Sequence, residues 1–468
     1  MKIEQIYTSC LAQGAYYIES KGEVAIIDPL RETKAYIEKA KANNAKITYV
    51  FETHFHADFV SGHIDLAKAT GATIVFGPNA TTSYDIYNAK DEEVFTIGDI
   101  KIKVLHTPGH TLESTTYLLL DENGKEHAIF SGDTLFLGDV GRPDLAIKSD
   151  LTKEDLAGML YDSLRTKIMT LPDDVIVYPA HGAGSACGKN LSKETVGILG
   201  EQKKTNYALR ADMTKEEFVK EVLDGIAPPP QYFSKNAMMN KSGYTSFENV
   251  LKKGNIPLTP EAFEAIANEE HALVLDVRHQ KDFLEAHIPN SVFIGLHGGF
   301  APWVGALITD LQQPILLVVP EGKSAEAITR LSRVGYDNTL GYLEGGINAW
   351  NASGRETDSI ASISAEEFAT RFKNDINVLD VRKDGEYKAK HIEDVQHFAL
   401  DYINENMHEI DPDTEYHIHC AGGYRSVIAA SILKARGFHK VIDVAGGFGA
   451  IKKTDLPLTE FVCPSTLS

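Results

Sequence analysis

The sequence has no long apolar run and few cysteines. A helix that spans a bilayer needs about 20 consecutive apolar residues, and the 468-residue chain contains no such run. We therefore predict no membrane span and no membrane partner. The N-terminus enters an alternating strand pattern at once and lacks the apolar stretch of a secretory signal, which favours a cytoplasmic location. The four cysteines form no Cys-x-x-Cys pair, so we expect no disulfide framework.

Positive charge is also scarce. Lys and Arg number 46 against 66 Asp and Glu, which gives a formal net charge of −20 at pH 7. Such a surface repels phosphate backbones, and we therefore predict no nucleic-acid partner. The hydrophobic share of 43% is that of an ordinary globular protein. One hydrophobic core does not extend over so long a chain, so we expect several domains.

Short β-branched or aromatic segments alternate with turn residues over the first 200 residues or so, a pattern that predicts many strands. Helices are predicted over Ile37–Asn43 and Asp155–Ile168. The predicted strands are Ala15–Ile18, Val24–Ile27, Ile47–Phe51, Thr73–Phe76, Ile100–His106, Thr115–Leu120, His127–Phe130 and Val175–Tyr178.

A helical pattern follows over residues 201–227, with Phe218 and Val222 on one face, and a run of three prolines ends it. The segment 228–257 keeps several aromatic residues, so we predict a docked connector there and not a flexible linker. The first domain is accordingly predicted to span residues 1–227.

The remainder contains an internal repeat of about 100 residues. Ala272–Arg278 (ALVLDVR) matches Asn377–Arg382 (NVLDVR). Each copy alternates strands and helices, which predicts two tandem parallel α/β domains and not a solenoid. The predicted boundaries are 258–357 and 360–460.

Four separate segments place histidine or aspartate at the end of a predicted strand. His54 and His56 follow one strand and point the same way, because side chains alternate along extended backbone. His110, Asp133 and His181 each follow a different strand. Imidazole and carboxylate groups at four strand ends can converge on one metal at a sheet edge. The sequence therefore predicts a metal site in the first domain.

The HxHxD motif and the three later elements resemble the metallo-β-lactamase superfamily over residues 1 to about 200. The resemblance implies an αββα sandwich with the metal at one edge. A closer resemblance is to the persulfide dioxygenase branch, in which two His and one Asp hold one Fe(II). It implies that His54, His110 and Asp133 bind a mononuclear Fe(II). The groups then expected to hold these ligands or a bound water are His56, Asp58 and His181.

The residue after the motif aspartate bears on the number of metal ions. Zinc hydrolases of the superfamily usually have a second-site His there, and this chain has Phe59, although many members of the dioxygenase branch keep the His. A second metal would have only Asp58, Asp133 and His181. We therefore predict a mononuclear site, and the enzymatic alternative is a glyoxalase II-like zinc thioester hydrolase.

Two further residues are candidates for substrate binding. Arg142 lies in the loop Phe136–Leu145, which also resembles the dioxygenase branch, and its guanidinium could pair with an anionic group of a carrier thiol. The alternative is a structural arginine that holds this loop beside Asp139 or Asp144. Cys187 lies in a glycine-flanked loop near the expected metal, where it could handle sulfur or could simply pack as a buried thiol.

Another cysteine begins the loop after the predicted strand Tyr416–His419. The loop Cys420–Arg425 (CAGGYR) has two glycines and precedes a predicted helix, so its N–H groups can stabilise a thiolate. With the LDVR segment upstream and Gly446-Gly447 downstream, this pattern resembles rhodanese more than the tyrosine phosphatases, which share Cys-x₄-Arg. The resemblance implies that Cys420 carries a transferable persulfide and that Arg425 orients the loop or an anionic acceptor.

The middle copy of the repeat lacks this cysteine. After its predicted strand Leu316–Val319 comes the shorter loop Pro320–Ser324 (PEGKS), which cannot form a cysteine persulfide. We therefore predict a structural or docking role for this copy. Cys10 and Cys463 have no comparable context and are predicted to be unreactive.

The order of the domains resembles bacterial persulfide dioxygenase–rhodanese fusions of sulfide detoxification. The resemblance implies that O₂ oxidises a low-molecular-weight thiol persulfide to sulfite at Fe(II), and that Cys420 then exchanges sulfur between sulfite and thiosulfate. The fusion keeps a labile sulfur near its next acceptor by raising its effective concentration. The alternative from another class is a non-catalytic sulfur-relay or sensing protein. We expect a homo-oligomer, either a dimer or a tetramer.

Overall fold

The computed structural model describes residues 1–146, 151–189, 191–373 and 376–462, so Cys463 lies outside the described residues. The chain forms two compact units. The first contains Met1–Phe247 and Ser332–Gly335, and the second contains Glu248–Leu331 and the residues from Tyr336 on. In the described part of the chain, no helix combines the length and the apolar character needed to cross a bilayer.

Twelve strands of the first unit form two six-stranded mixed sheets. The strands are β1 (Lys2–Thr8), β2 (Gln13–Ser20), β3 (Glu23–Ile27), β4 (Lys46–Glu52), β5 (Thr73–Phe76), β6 (Tyr87–Asn88), β7 (Val94–Ile97), β8 (Ile100–His106), β9 (Thr115–Leu120), β10 (Glu126–Gly132), β11 (Ile176–Pro179) and β12 (Gly197–Ile198). The first sheet has the order β1-β2-β3-β4-β5-β6, and the second has the order β12-β11-β10-β9-β8-β7. Strands β3 to β6 pair in parallel, as does β10 with β11.

Helices cover the outer face of each sheet. They are α1 (Lys34–Ala42), α2 (His63–Thr70), α3 (Lys153–Ser163), α4 (Leu199–Thr205), α5 (Lys215–Leu223) and α6 (Phe233–Ser242). Buried Phe51 of the first sheet packs on Tyr117 and Phe130 of the second sheet. The other face of the first sheet packs on α1 and α2 through Tyr36 and Leu66, and that of the second packs on α3, α4 and α5. The predicted αββα sandwich is therefore confirmed.

The second unit contains two five-stranded sheets whose strands all pair in parallel. The first sheet, in the order β13-β17-β16-β14-β15, consists of β13 (Pro257–Leu258), β14 (Leu273–Asp276), β15 (Val292–Phe293), β16 (Ile315–Val318) and β17 (Thr339–Leu343). The second, in the order β18-β22-β21-β19-β20, consists of β18 (Ala361–Ile363), β19 (Asn377–Asp380), β20 (Gln396–His397), β21 (Tyr416–His419) and β22 (Val441–Val444). The identical arrangement of the two sheets confirms the predicted repeat of a parallel α/β fold.

Eleven helices accompany these sheets from the boundary of the first unit onward. They are α7 (Phe247–Gly254), α8 (Pro260–Glu269), α9 (Gln280–Glu285), α10 (Phe300–Leu307), α11 (Ser324–Ser332), α12 (Gly346–Ala352), α13 (Ala365–Phe372), α14 (Asp384–Ala389), α15 (Ile403–Asn406), α16 (Arg425–Ala435) and α17 (Gly447–Ile451).

Two helix predictions differ from the structure. The predicted helix over Asp155–Ile168 ends as α3 at Ser163 and continues as a π-helical turn. The pattern over 201–227 is two helices, because the side chain of Asn206 caps a short 3₁₀ turn after α4 and Thr214 begins α5 with a capping box. The segment predicted as a connector contains α6 and α7, and the predicted domain boundaries stay predictions.

Candidate metal centre and cysteine loop

The predicted histidines and aspartate that follow four strands of the first unit come together. His54 and His56 follow β4, His110 follows β8, Asp133 follows β10 and His181 follows β11. All five side chains are buried. Their ligand atoms fall into overlapping groups of three within which every pair of atoms lies within 4.8 Å, and one such group is His54, His110 and Asp133.

This group of two histidines and one aspartate is compact. The Nε2 atoms of His110 and His54 lie 3.4 and 3.9 Å from Oδ2 of Asp133. The two imidazole rings are nearly perpendicular, with centroids 4.9 Å apart. Burial and the neighbouring histidines lower the pKa of His54 well below its usual range, so its ring is neutral. Neutral imidazoles beside a carboxylate form a donor set for a divalent metal ion.

Hydrogen bonds determine which ring nitrogen of each histidine faces Asp133. The Thr53 hydroxyl donates to Oδ2 of Asp28 at 2.8 Å, so its oxygen accepts from Nδ1 of His54 at 2.9 Å. Nδ1 of His110 donates to the backbone carbonyl of Arg142 at 2.8 Å. In the neutral form of each ring Nε2 is therefore the unprotonated nitrogen, which is the tautomer that metal-bound histidines need.

The carboxylate of Asp133 fits a bound cation. Both of its oxygens are buried, and neither has a hydrogen-bond partner among the described residues. An unpaired carboxylate costs several kcal/mol to bury, a cost that a cation offsets. The loop that follows is built close to this group, because a Cβ at Gly141 would overlap the carbonyl of Asp133 and come within 3.0 Å of Nδ1 of His110. The residues present therefore fit a metal ion.

A second group lies beside the other oxygen of Asp133. Nε2 of His181 is 3.6 Å from Oδ1 of Asp133 and 3.5 Å from Oδ2 of Asp58. Sγ of Cys187 lies within 4.8 Å of the ligand atoms of Asp133 and His181. Asp58 and His181 also form a group with His56, which has two imidazoles and one carboxylate with ligand atoms within 4.8 Å of one another.

His56 lies against a buried acidic pair. Its Nε2 is 3.1 Å from Oδ1 of Asp28 and 3.7 Å from Oε2 of Glu52. Burial lowers the pKa of His56, but the two carboxylates, Asp28 first, raise it more, to about 9. The ring of Phe59 packs on it with centroids 4.4 Å apart. His56 therefore contacts this acidic pair as well as the group of Asp58 and His181, and its supporting role stays a prediction.

The contacts of Arg142 favour the structural alternative. Its guanidinium donates two hydrogen bonds to Asp144, at 2.7 and 2.8 Å, and further ones to the carbonyls of Ala186 and Ala227. The predicted pairing with a carrier thiol would have to displace one of these partners. The backbone N–H of Arg142 donates to the carbonyl of Cys187 at 3.0 Å, and its own carbonyl accepts from Nδ1 of His110. The backbone of Arg142 therefore holds both the Cys187 loop and the His110 ring.

The thiol of Cys187 is buried near the second group. Burial, followed by the charges of Asp58 and Asp133, raises its pKa well above the usual range. A protonated thiol is a poor nucleophile. Both alternatives for Cys187, sulfur handling and packing, stay predictions.

Cys420 follows β21 and begins a tight loop in the second unit. Its side chain is 1% exposed, and the N–H of Gly423 donates to its Sγ at 3.1 Å. The carbonyl of Cys420 accepts from the N–H of Phe448 at 2.6 Å. A Cβ at Gly447 would overlap this carbonyl, so a glycine is required where the two segments approach. The N–H donor and the following helix, α16, suit an anionic sulfur.

Arg425, the last residue of this loop, has a fixed partner. Its guanidinium donates to both oxygens of Glu386 in α14, at 2.6 and 2.8 Å. Burial lowers the pKa of Arg425, but Glu386 raises it more. The cation therefore holds the loop against α14, which favours the loop-orienting role of Arg425 over the binding of an acceptor.

The middle copy has the fold of the last copy but lacks its cysteine. Its Arg278 pairs with Asp276 as Arg382 pairs with Asp380 in the last copy. A cavity of about 780 Å³ lies where the active-site loop would be, and its described lining, which includes Glu321, contains no cysteine.

Two residues that support the metal group were not predicted from the sequence. Asp28 directs the hydroxyl of Thr53 toward itself and so determines the tautomer of His54. Asn240 of α6 donates to the backbone carbonyls of His56 and Phe59, both at 2.8 Å. The position of Asp28 directly after a buried strand was an available signal, whereas nothing in the sequence marks Asn240.

Family models match most of the chain. Residues 10–181 match the metallo-beta-lactamase superfamily, and residues 259–353 and 364–454 match the rhodanese-like domain. A metallo-beta-lactamase from Staphylococcus aureus is 31% identical with a TM-score of 0.63, and the alignment covers 73% of this chain and 98% of that one. The crystal structure of ETHE1 from Myxococcus xanthus is 28% identical with a TM-score of 0.44, over 52% of this chain and 98% of that one.

The alignments to curated relatives cover less than half of this chain, as two examples show. A probable hydroxyacylglutathione hydrolase of Schizosaccharomyces pombe, glo2, is 33% identical over 161 residues, which are 34% of this chain and 58% of the relative. The chain thus spans about three fifths of the length of that relative and of the next. Taken with the αββα fold and the strand-end histidines, the matches show that the chain belongs to the metallo-β-lactamase superfamily and carries rhodanese-like domains after its metallo-β-lactamase domain.

Proposed function

We propose that this chain oxidises the outer sulfur of a low-molecular-weight thiol persulfide with O₂ and that its last domain exchanges sulfur with the product. The observation that carries the proposal is the presence, in one chain, of a cluster of two histidines and one carboxylate and of a buried cysteine on a glycine loop. His54, His110 and Asp133 would hold a single Fe(II), which would supply the activation of O₂ beside a sulfur anion.

The net reactions balance without a further reactant. The persulfide R–S–S⁻, O₂ and water give R–SH, sulfite and one proton, so sulfite receives both atoms of O₂ and one oxygen from water. A second molecule of the same thiol persulfide gives its outer sulfur to Cys420 (R–S–S⁻ and the Cys420 thiol give R–SH and the Cys420 persulfide). Cys420 then transfers this sulfur to sulfite, which forms thiosulfate and regenerates the thiolate. In this scheme Thr53 and the carbonyl of Arg142 orient the two imidazoles, and burial of the cluster keeps bulk water away.

A zinc thioester hydrolase is the second candidate, and two observations favour it. Asp58 and His181 lie beside the free oxygen of Asp133, where a second metal ion would need ligands. Curated relatives of this chain include hydroxyacylglutathione hydrolases. The phenyl side chain of Phe59 speaks against this candidate, because it removes a nitrogen donor from the second group.

Metal content and substrate use separate the candidates. We expect protein purified without oxygen to contain one iron per chain and to consume O₂ with glutathione persulfide or coenzyme A persulfide. His110→Ala should lose both iron and O₂ uptake, whereas His127→Ala, at a partly buried histidine outside the cluster, should keep both.

Three outcomes would overturn the proposal. Two zinc ions per chain together with hydrolysis of a hydroxyacyl thioester of glutathione would establish the hydrolase. Iron-loaded protein that consumes no O₂ with any thiol persulfide would leave a sulfur-relay or sensing protein. Equal O₂ uptake by the His110→Ala variant would place the reaction elsewhere.

A further inference from the structure

The loop that carries Cys420 reaches the cysteine-less middle copy through one side chain, Tyr424. The Tyr424 hydroxyl donates to the backbone carbonyl of Gly295 at 2.7 Å. Its ring meets the ring of Phe293 edge-on, with centroids 5.9 Å apart. Phe293 ends β15 of the middle copy, and its N–H donates to the hydroxyl of Ser431 in α16 at 3.0 Å. Strand β15 of the middle copy is therefore bonded beside Tyr424 to α16, the helix that follows the loop.

Gly298 of the middle copy leaves the space in which the Tyr424 ring lies. A Cβ at Gly298 would come within 2.5 Å of Cε1 and Cε2 of that ring. Gly298 is not among the glycines with positive φ, so its own backbone would accept a side chain. The obstacle at this position is the tyrosine of the neighbouring domain. The middle copy is thus shaped around a residue of the Cys420 loop.

The position of Tyr424 bears on the sulfur through a single residue, Gly423. The preceding residue, Gly423, provides the N–H that donates to Sγ of Cys420. Gly423 has a φ of +90°, and glycine has the least restricted backbone of all residues. The orientation of its N–H therefore depends on how its neighbours are held, and Tyr424 is held from outside its own domain.

We infer that the middle copy, which cannot form a persulfide, positions the Cys420 loop of the last domain through Tyr424. Gly295 supplies the acceptor for the tyrosine hydroxyl, and Gly298 supplies the gap for its ring. Tyr424 is a positioning residue that acts on Cys420 through the N–H of Gly423. The inference rests on the sulfur-transfer half of the proposed function and does not require the metal centre.

The test uses the full chain and a reaction that needs neither iron nor O₂. The Cys420 thiolate takes the outer sulfur of thiosulfate and releases sulfite; cyanide then removes that sulfur as thiocyanate and regenerates the thiolate. Gly298→Ala is expected to lower kcat about tenfold, because a displaced ring turns the donor away from the sulfur. KM for thiosulfate should change less than about twofold, since the substitution lowers the reactivity of the Cys420 sulfur and not the binding of thiosulfate. Alkylation of Cys420 by iodoacetamide, followed by mass spectrometry at fixed pH, should slow in parallel.

Gly299→Ala is the matched control. It is the same substitution one residue later, and its Cβ would meet only Trp303 of the middle copy, at 3.3 Å from Cδ1. It should leave kcat and the alkylation rate unchanged. Tyr424→Ala should lower both by itself, and Gly298→Ala should have no additional effect in that background, because the ring it displaces is gone. Tyr424→Phe keeps the ring and should lose only the part of kcat and of the alkylation rate that depends on the hydrogen bond to Gly295.

Each result bears on one claim. Equal kcat and alkylation rates in Gly298→Ala and Gly299→Ala would refute the inference, as would independent, additive losses in the double variant. Should Gly298→Ala lower the melting temperature too far for assay, Tyr424→Phe carries the test, and wild-type behaviour of that variant would refute the role of Gly295. If the unchanged protein forms no thiocyanate, the sulfur-transfer half of the proposed function fails, while the alkylation rates still decide the positioning.

Discussion

Replacing Asp28 by Asn should weaken metal binding although Asp28 itself is not a proposed ligand. The carboxylate accepts from the N–H and the hydroxyl of Thr53, both at 2.8 Å. Its amide replacement has one acceptor oxygen in place of two. If that oxygen keeps the backbone N–H, the new NH₂ group faces the hydroxyl of Thr53, which must then turn its hydrogen toward Nδ1 of His54. The proton of His54 moves to Nε2, and the ring can no longer ligate.

The size of the effect follows from the interactions that are lost. Partners that orient a metal-bound histidine typically contribute a factor of about 10–100 in metal affinity, or roughly 1.4–2.7 kcal/mol. Loss of a charge-assisted hydrogen bond in a buried site costs about 1.5–3 kcal/mol, which is of the same size. Asp28 is 1% exposed, so water cannot replace the missing acceptor. We therefore expect Asp28→Asn to weaken Fe(II) binding by about 10–100-fold.

The assay is an oxygen-free competition for Fe(II) between the protein and a chromophoric chelator, together with urea unfolding of the metal-free protein. Asp99→Asn is the matched control, because it makes the same change at a carboxylate of the first unit whose side chain is 53% exposed. An affinity of Asp28→Asn within twofold of that control would refute the tautomer argument. So would a loss of stability in the metal-free protein as large as the loss in the metal-loaded protein, since Asp28 would then be purely structural.

Four further predictions concern single side chains. Phe59→His should raise the ratio of bound zinc per chain from about one to about two, as metal analysis would show, because it adds an imidazole beside the second group. Cys420→Ser should keep O₂ uptake with a thiol persulfide but lose thiocyanate formation, and loss of both would mean that the sites are obligately coupled. Arg142→Met should lower the free energy of unfolding by about 3–5 kcal/mol, because it leaves a carboxylate without its partner, while KM for the persulfide stays near the wild-type value. Burial raises the pKa of Glu386 but Arg425 lowers it more, so that the pKa lies below the usual 4.5. The pair therefore stabilises the fold above that pH and loses this contribution as pH falls. Arg425→Gln should accordingly lower the melting temperature at neutral pH and much less in acid.

The metal group could be predicted because its residues obey two simple rules. Side chains alternate along a strand, so His54 and His56 share one side of the chain. Strand ends in a sandwich meet at an edge, which brings His110, Asp133 and His181 to the same place. Neither rule requires knowledge of a loop conformation. The same holds for the last domain, where the strand, the glycine loop and the helix around Cys420 are consecutive in the sequence.

The partners of these residues could not be predicted, because they depend on loop paths. Arg142 was a candidate for substrate binding, and the sequence left open its pairing with Asp139 or Asp144. Only the path of the loop shows that Asp144 accepts from its guanidinium. The contact between Tyr424 and Gly298 joins two copies of a repeat, and a repeat pattern shows what the copies share but not where they touch.

Asp133 lies between the two groups of residues on which the two candidate functions of the first domain depend. One carboxylate oxygen faces His54 and His110, and the other faces His181. A second metal ion would need further donors beside His181, where Asp58 and His56 lie, whereas the ring of Phe59, packed on His56, offers no donor. The proposed dioxygenase needs a single ion with open positions, which can admit a sulfur anion and O₂ together. The hydrolase needs two ions that share a hydroxide, so the stoichiometry of the metal decides between the two chemistries.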